Sequence, residues 1–247
     1  MNWTRRALLD LLRARGLRPK KALGQNFLVD ANFLDALARD SGATKDDDVI
    51  EIGSGPGNLT DRLAERAGHV WAFELDPDVH ALSRDLLAGR ANVTLIHADG
   101  ASFEEHVPAP SSRPLRVVSN LPYFDWQRLL LKLLSTKRPV ASYTLMVQTD
   151  LYDRLRAAPG TREYGPMPAL LQATCEIRRI RRAGKELFLP VPRVDSTVFE
   201  LVRRKTLDFA AAEARLRELF SQRRKKSAAA GGRRIEQLSP DELLELL

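Results

Sequence analysis

The chain has 247 residues, 44% apolar and 29% charged, with 39 Lys and Arg against 32 Asp and Glu for a net charge of +7. This composition excludes a disordered polymer, and no apolar run approaches the roughly 18 to 20 residues that cross a bilayer, so a soluble, cytoplasmic protein is expected. A single cysteine, Cys175, excludes an internal disulfide, and the four scattered histidines lack metal-ligand spacing, so no metal is expected.

The charge is unevenly spread. Residues 1–21 carry 7 basic and 1 acidic residue, residues 22–177 carry 15 and 21, and residues 178–247 carry 17 and 10. Basic ends around an acidic middle suit a polyanionic partner, because Lys and Arg supply most sequence-independent affinity for nucleic acid. A solvated surface or attraction to a membrane face are the plainer readings of the same charges.

In chain order, residues 1–16 are Arg-rich and amphipathic, with Trp3, Ala7, Leu8, Leu11 and Leu12 apolar. A transit peptide has that composition. A folded helix stopped by Gly16, followed by a loop over 17–23 that contains Pro19, is the preferred reading. From residue 48, β-type runs alternate with helical periods, the pattern of a parallel sheet covered by helices. Strands are expected at 49–52, 70–74, 93–97, 116–119 and 142–147, and helices at 59–67, 78–87, 126–134 and 151–157. This is a doubly wound α/β arrangement. Pro190, Pro192 and the alternation of Val198, Glu200 and Val202 predict a loop and a strand closing the sheet's edge. A helix over 209–220 then runs into Arg223, Arg224, Lys225 and Lys226. After a break at 228–232, Ser239, Pro240 and Glu242 supply a capping box and first-turn proline for a last short helix before 243–247. Two units are expected: 1–204, including the basic helix and loop of 1–23, and a small helical domain at 205–247.

The first of these strands runs into Glu51, Ile52, Gly53, Ser54, Gly55, Pro56 and Gly57. Open α/β sheets bind ligands at such a carboxyl end, and glycines permit close approach and positive φ. Asn58 stands where a dinucleotide fingerprint wants Gly or Ala, and no GK[ST] follows, so neither that fingerprint nor a P-loop is present. Glu74, 21 residues after Gly53, ends the second strand, where its carboxylate can accept from both hydroxyls of a ribose; a solvated acid beside Asp76 is the alternative. Asp99 follows the third strand, placed to accept from an adenine amino group or, more plainly, to cap a helix.

The fourth strand ends in Asn120, Leu121, Pro122 and Tyr123. Proline stiffens the turn and sets the direction of its carbonyls, Asn120 adds a neutral oxygen, and Tyr123 adds an aromatic face. Acceptors beside a stacking surface suit a nucleobase amino group. Gripping both N–H bonds favours the pyramidal, nucleophilic nitrogen, which can take a methyl group from a sulfonium without a strong base. An ordinary strand-ending turn is the alternative.

With GQNFL (24–28), EIGSGPG (51–57), FELD (73–76), HADG (97–100) and NLPY (120–123) in this order, the chain resembles the ribosomal RNA adenine dimethyltransferases, of the bacterial small-subunit type and its eukaryotic relatives. MVQ (146–148), DRL, APG and YG between 153 and 165, FLPVPRVDS (188–196) and QRRK (222–225) extend the likeness across 20–226. The resemblance implies a Rossmann-like fold that binds S-adenosylmethionine through Gln25, Asn26, Leu28, Gly53, Gly55, Gly57, Glu74, Leu75, Asp99, Gly100 and Asn120. It implies a catalytic set of Asn120, Leu121, Pro122, Tyr123 and Phe188, with the target adenine stacked on Tyr123 and Phe188 as a second aromatic wall. The implied reaction places two methyl groups on the exocyclic nitrogen of each of two adjacent adenines near the 3′ end of small-subunit (16S) RNA, by a monomer acting on an assembling small ribosomal subunit.

Some positions depart from the family pattern. Phe124, Asp125 and Trp126 replace a small polar run, Gln148, Thr149 and Asp150 stand where the family has QKE, and the tail beyond Lys226 is short. The adenine must leave its stack to be methylated, a loss that aromatic stacking offsets by roughly 1 to 3 kcal/mol per base. Arg178, Arg179, Arg181, Arg182, Arg223, Arg224, Lys225 and Lys226 are candidates for phosphate contacts. The HxE and PCxxC zinc ligands of an adenosine deaminase are missing. A large-subunit methyltransferase of the antibiotic-resistance type and a non-catalytic ribosome-assembly or transcription factor remain alternatives.

Overall fold

A computed structural model describes residues 4–108, 113–122 and 125–247. Helix α1 (Arg5–Ala14) starts at Thr4, whose hydroxyl accepts the Ala7 amide, and its buried residues Leu8 and Leu12 pack with Phe27, Val29, Val79, Leu82 and Leu189. The N-terminal stretch is therefore a docked helix. Strand β1 (Phe27–Leu28) and helix α2 (Ala31–Asp40) follow, the latter capped by the Asp30 carboxylate accepting from Phe33. Although α2 was not anticipated, Leu34, Leu37 and Ala38 give it an ordinary buried stripe.

The expected alternation comes next: β2 (Asp48–Ile52), α3 (Asn58–Arg66), β3 (His69–Glu74), α4 (Pro77–Leu86), β4 (Val93–His97), the short α5 (Phe103–His106), β5 (Leu115–Asn120), α6 (Trp126–Ser135), β6 (Val140–Gln148) and α7 (Thr149–Leu155). Apart from α5, which was not anticipated, each lies within two residues of its expected place. The chain finishes with α8 (Pro166–Thr174), β7 (Cys175–Ala183), β8 (Phe188–Leu189), β9 (Ser196–Arg203), α9 (Phe209–Ser221) and α10 (Pro240–Leu244).

Seven strands form one sheet in the order β4-β3-β2-β5-β6-β9-β7. From β4 to β6 neighbours are parallel, and β9 runs antiparallel to both β6 and β7. The chain moves outward from β2 through β3 to β4, then returns to β5 on β2's other side. That reversal opens a crevice at the carboxyl ends of β2 and β5, where ligands bind in such sheets.

One expectation needs correction. The strand expected to close the sheet, β9, is internal, paired with β6 on one side and β7 on the other, and its Val198, Phe199 and Leu201 are wholly buried. The edge belongs to β7, whose exposed Arg178, Arg179 and Arg182 discourage edge-to-edge pairing with another chain. Across the boundary expected at 204/205 the hydrophobic cluster is continuous. Phe209, Leu216, Phe220, Ile235, Leu238 and Leu243 share one cluster with Phe199, Leu201 and the α6 leucines. Tyr164 Oη donates to the Leu238 carbonyl at 3.1 Å and Arg223 donates to the Thr161 carbonyl at 2.8 Å, so the C-terminal helices lean on α8 and its preceding loop. Among the described residues no helix is long and apolar enough to cross a membrane.

Because Leu12 is 3% exposed in the cluster that docks α1, Leu12→Ala is expected to lower the unfolding free energy by about 2 kcal/mol or more. Urea denaturation reads this directly. An unchanged midpoint would mean that α1 is not docked.

Candidate active site

The turn after β2 is shaped by three left-handed glycines, Gly53 (φ 71°), Gly55 (φ 57°) and Gly57 (φ 93°). Gly53 and Ser54 donate to the Phe73 carbonyl at 2.8 and 2.9 Å, and Gly55 donates to Glu74 Oε2 at 2.8 Å. A Cβ on Gly55 would lie 3.0 Å from the Phe27 ring, so the missing side chain makes room for β1 against the turn. Glu74 Oε1 accepts the Asp76 amide at 2.9 Å. Glu74 is thus no solvated acid: it is 7% exposed, and burial pushes its carboxyl upward although backbone donors oppose the shift. Each oxygen accepts a backbone N–H, and a carboxylate has acceptor sites to spare for hydroxyl groups.

Asp76 anchors a second layer over this turn. Its carboxylate accepts Lys20 Nζ at 2.7 Å and Gln25 Nε2 at 2.8 Å. Burial would raise its pKa, but these hydrogen bonds outweigh it and hold the carboxyl below its ordinary value. The loop so tethered leads into β1, which pairs antiparallel with β8, Leu28 opposite Phe188. Asn120 Nδ2 then donates to the Asn26 carbonyl at 3.0 Å, and Asn58 Nδ2 donates to the Leu28 carbonyl at 2.6 Å. Both amides are oriented by these bonds, leaving Asn120 Oδ1 and Asn58 Oδ1 buried without a partner among the described residues, as is Ser54 Oγ.

All three of those residues line one cavity. So do Gln25, Asn26, Leu28, Gly53, Gly55, Glu74, Leu75, Asp99, Gly100, Asn120, Leu121 and Pro122, which brings most of the expected set together. Leu75 is 51% exposed and presents an apolar shelf. Gly100 has no Cβ because one would sit 2.5 Å from Ile52 Cγ2. Asp99 lines the cavity and also caps the turn after β4, its Oδ1 accepting the Ala101 amide at 2.9 Å.

Gly57 and Phe188 are not among the lining residues. Gly57 (φ 93°) starts α3, and a Cβ there would meet Leu87 Cδ1 at 2.6 Å, so its role is the turn. Phe188 is wholly buried among Leu28, Leu34, Met146 and Val198, where pairing with β1 holds it, and forms no second aromatic wall. Tyr123 and Phe124 lie outside the described residues. Trp126 packs against the main core cluster away from the cavity, whereas Asp125 lines it. Thr149 opens α7 with its hydroxyl 3.0 Å from that of Thr197.

Residues the sequence reading passed over include Ser54, Asn58, Asp125 and Arg128, all on the cavity wall. Asn58 had a signal, since it stands where a dinucleotide fingerprint has its third glycine, whereas no local pattern marks Arg128. Glu51 also reaches the wall, accepting Thr60 Oγ1 at 2.6 Å, and burial pushes its carboxyl up to about 8. Of the phosphate candidates, Arg178 pairs with Glu200, Arg181 with Asp40, Arg182 with Asp195 and Arg223 with Glu236, while Arg179, Arg224, Lys225 and Lys226 are exposed. Among the described residues no cluster of three or more His, Cys, Asp or Glu is placed to hold a metal ion.

Comparison with known proteins places this geometry. The sequence pattern of the family described as ribosomal RNA adenine dimethylase matches residues 16–237. Ribosomal RNA small subunit methyltransferase A of Listeria welshimeri is 39% identical over 201 residues, covering 79% of this chain and 68% of the relative. Its counterpart in Bacillus licheniformis is 36% identical over 225 residues, covering 87% and 77%. A dimethyladenosine transferase from Plasmodium falciparum shares the fold with a TM-score of 0.74 at 21% identity, covering 88% of this chain and 94% of that one. The 23S rRNA methyltransferase ErmE has a TM-score of 0.63 at 25% identity, covering 89% and 97%.

Glu51 gives the site a pH signature. A carboxyl whose folded pKa is raised contributes stability that is complete below the unfolded value and lost as pH rises toward the folded one. Thermal stability of the wild type is therefore expected to fall between about pH 4.5 and about pH 8, and Glu51→Gln, which can still accept from Thr60, is expected to flatten that slope. Parallel melting curves across this range would contradict it.

Proposed function

The chain belongs to the ribosomal RNA adenine dimethylase family, and from that premise we propose that it uses S-adenosylmethionine to dimethylate the exocyclic amino groups of two adjacent adenines near the 3′ end of small-subunit ribosomal RNA. The observation that carries this reading is Asn120: its amide nitrogen is committed to the Asn26 carbonyl, so a buried neutral oxygen is left on the cavity wall. A buried acceptor without a partner costs free energy unless a ligand supplies the donor.

The wall fits the methyl donor. Ser54, Asn58 and Asn120 offer buried polar atoms still unsatisfied, Glu74 offers carboxylate oxygens to a ribose, Asp99 stands at the base end, and Leu75 offers an apolar shelf. When bound, S-adenosylmethionine supplies a methyl group on a positively charged sulfur, which the adenine nitrogen takes as the carbon–sulfur bond breaks.

The chain's own work is to hold the acceptor. Asn120 Oδ1 and the carbonyls of the stiff Leu121-Pro122 turn would accept from the amino group, keeping its lone pair out of the ring, and Tyr123 would carry the base by stacking. Preorganised acceptors of this kind act on the charge that develops in the transition state. The alkylated nitrogen is cationic and loses its proton to water, so a neutral amide suffices where a carboxylate would trap the charge.

Small-subunit RNA is favoured over large-subunit RNA because relatives named for the small subunit reach 40% identity, against 25% for ErmE. An assembling small subunit is the substrate form that gives access to the adenines before the RNA is fully packed. The exposed Arg179, Arg224, Lys225 and Lys226 would contribute phosphate contacts.

Labelled S-adenosylmethionine and under-methylated small subunits test the activity, with label expected in dimethyladenosine near the 3′ end. Absence of label while the donor still binds would defeat the reading. Asn120→Ala is expected to lower turnover by roughly 100-fold or more, as loss of a preorganised transition-state contact does. Glu74→Ala is expected to weaken donor binding by about 10-fold or more, since hydrogen bonds to a charged acceptor are at stake; calorimetry with S-adenosylhomocysteine reads it.

A further inference from the structure

Three charged side chains meet at the cavity rim beyond β4. Asp99 Oδ1 accepts the Ala101 amide at 2.9 Å, and Asp99 Oδ2 accepts Arg128 Nη2 at 2.8 Å. Arg128 is itself held by Asp125 Oδ2, through Nε at 2.8 Å and also through Nη2. All three residues line the cavity. Their side chains are 40% (Asp99), 48% (Arg128) and 24% (Asp125) exposed, and ion pairs so open to water add little to stability.

Orientation is a different matter. The terminal torsion of an aspartate is broad and two-fold, so the Ala101 amide alone leaves the carboxylate plane of Asp99 loosely set. The second bond, to the other oxygen, fixes the plane. A lysine could not replace this fork, because Arg128 uses two geometrically fixed N–H groups to reach two acids, whereas an ammonium is a point charge. Asp125 lies three residues before Arg128 at the start of α6, so the helix presets the tether.

We propose that Arg128 is a positioning residue that fixes the carboxylate of Asp99 so that Asp99 reads the amino group of the donor's adenine, with Asp125 as the tether that holds Arg128 in place. This rests on the cavity taking S-adenosylmethionine. A carboxylate accepts from an amino group and repels a ring carbonyl in its place, and a site built to bind an N–H rejects the analogue that lacks it. The better the plane is fixed, the sharper the rejection, because hydrogen bonds weaken steeply off axis.

The test compares two product analogues by calorimetry: S-adenosylhomocysteine and S-inosylhomocysteine, in which an oxygen replaces the adenine amino group. Wild type is expected to prefer the adenosyl compound by about 10-fold or more. Arg128→Ala is expected to keep its unfolding midpoint but shrink the preference to within about threefold, a change in ratio that a merely structural defect, weakening both compounds alike, would not produce. Arg128→Lys should not restore it. Asp125→Asn should move the preference the same way, and the double variant should be no worse than Arg128→Ala, as expected of residues acting in one chain. No binding of S-adenosylhomocysteine by wild type would defeat the donor reading itself. Binding with no preference in wild type, an unchanged preference in Arg128→Ala, or full rescue by lysine would each overturn the role of Arg128 while leaving the donor reading intact.

Discussion

Two backbone amides, from Gly55 and Asp76, converge on the buried carboxylate of Glu74, and the rest of the site hangs from that convergence. It ties the glycine turn after β2 to the end of β3, so that the two strand ends present one continuous surface. Directed donors offset part of the cost of burying the acid, and Glu74 lines the cavity at the crevice that the strand order opens between β2 and β5. Neither the turn nor the acid would hold its position alone: the turn needs left-handed glycines, and the acid needs the amide that Gly55 turns toward it as well as that of Asp76.

A second layer is built on the first by the same means. Asp76, whose amide serves Glu74, uses its side chain to hold Lys20 and Gln25, and the loop thus anchored brings the Asn26 and Leu28 carbonyls against Asn120 and Asn58. Polar groups are consumed in pairs until a few buried oxygens remain on the cavity wall, unpartnered. In the proposed reaction those residual atoms receive the amino group. A carboxylate at the position of Asn120 would then bind that group more tightly after methylation than before it, so a neutral oxygen there would serve release as well as reaction.

The alternating strands and helices from β2 to α7 were legible in the sequence because each has a clean period of two or 3.6 and is buried on the face that the period marks. The glycine turn, Glu74 and the Asn120 turn were legible for a further reason: each ends a strand, and parallel strands deliver their carboxyl ends to one rim. Failures came where local pattern and tertiary role diverge. Strand β9 alternates like an edge strand yet is buried on both sides, and Arg-rich β7 reads as a charge cluster although it is a strand. Gly57 belongs to a motif but faces Leu87, and Phe188, also in a motif, is drawn into the core by its pairing with β1.

By itself, then, the sequence determined the fold class, the family and the rim positions, since periodicity, turn glycines and strand-ending acids are properties of short stretches of chain. Only the tertiary structure decided which members of those motifs reach the cavity, which amide oxygens are left without a partner, and which charges meet. Arg128, Asp99 and Asp125 come from two segments that no local pattern joins, and their hydrogen bonds exist because the turn at 100–102 that follows β4 packs against α6. Hydrogen bonds act over about 3 Å, a scale on which sequence spacing is silent and packing is decisive.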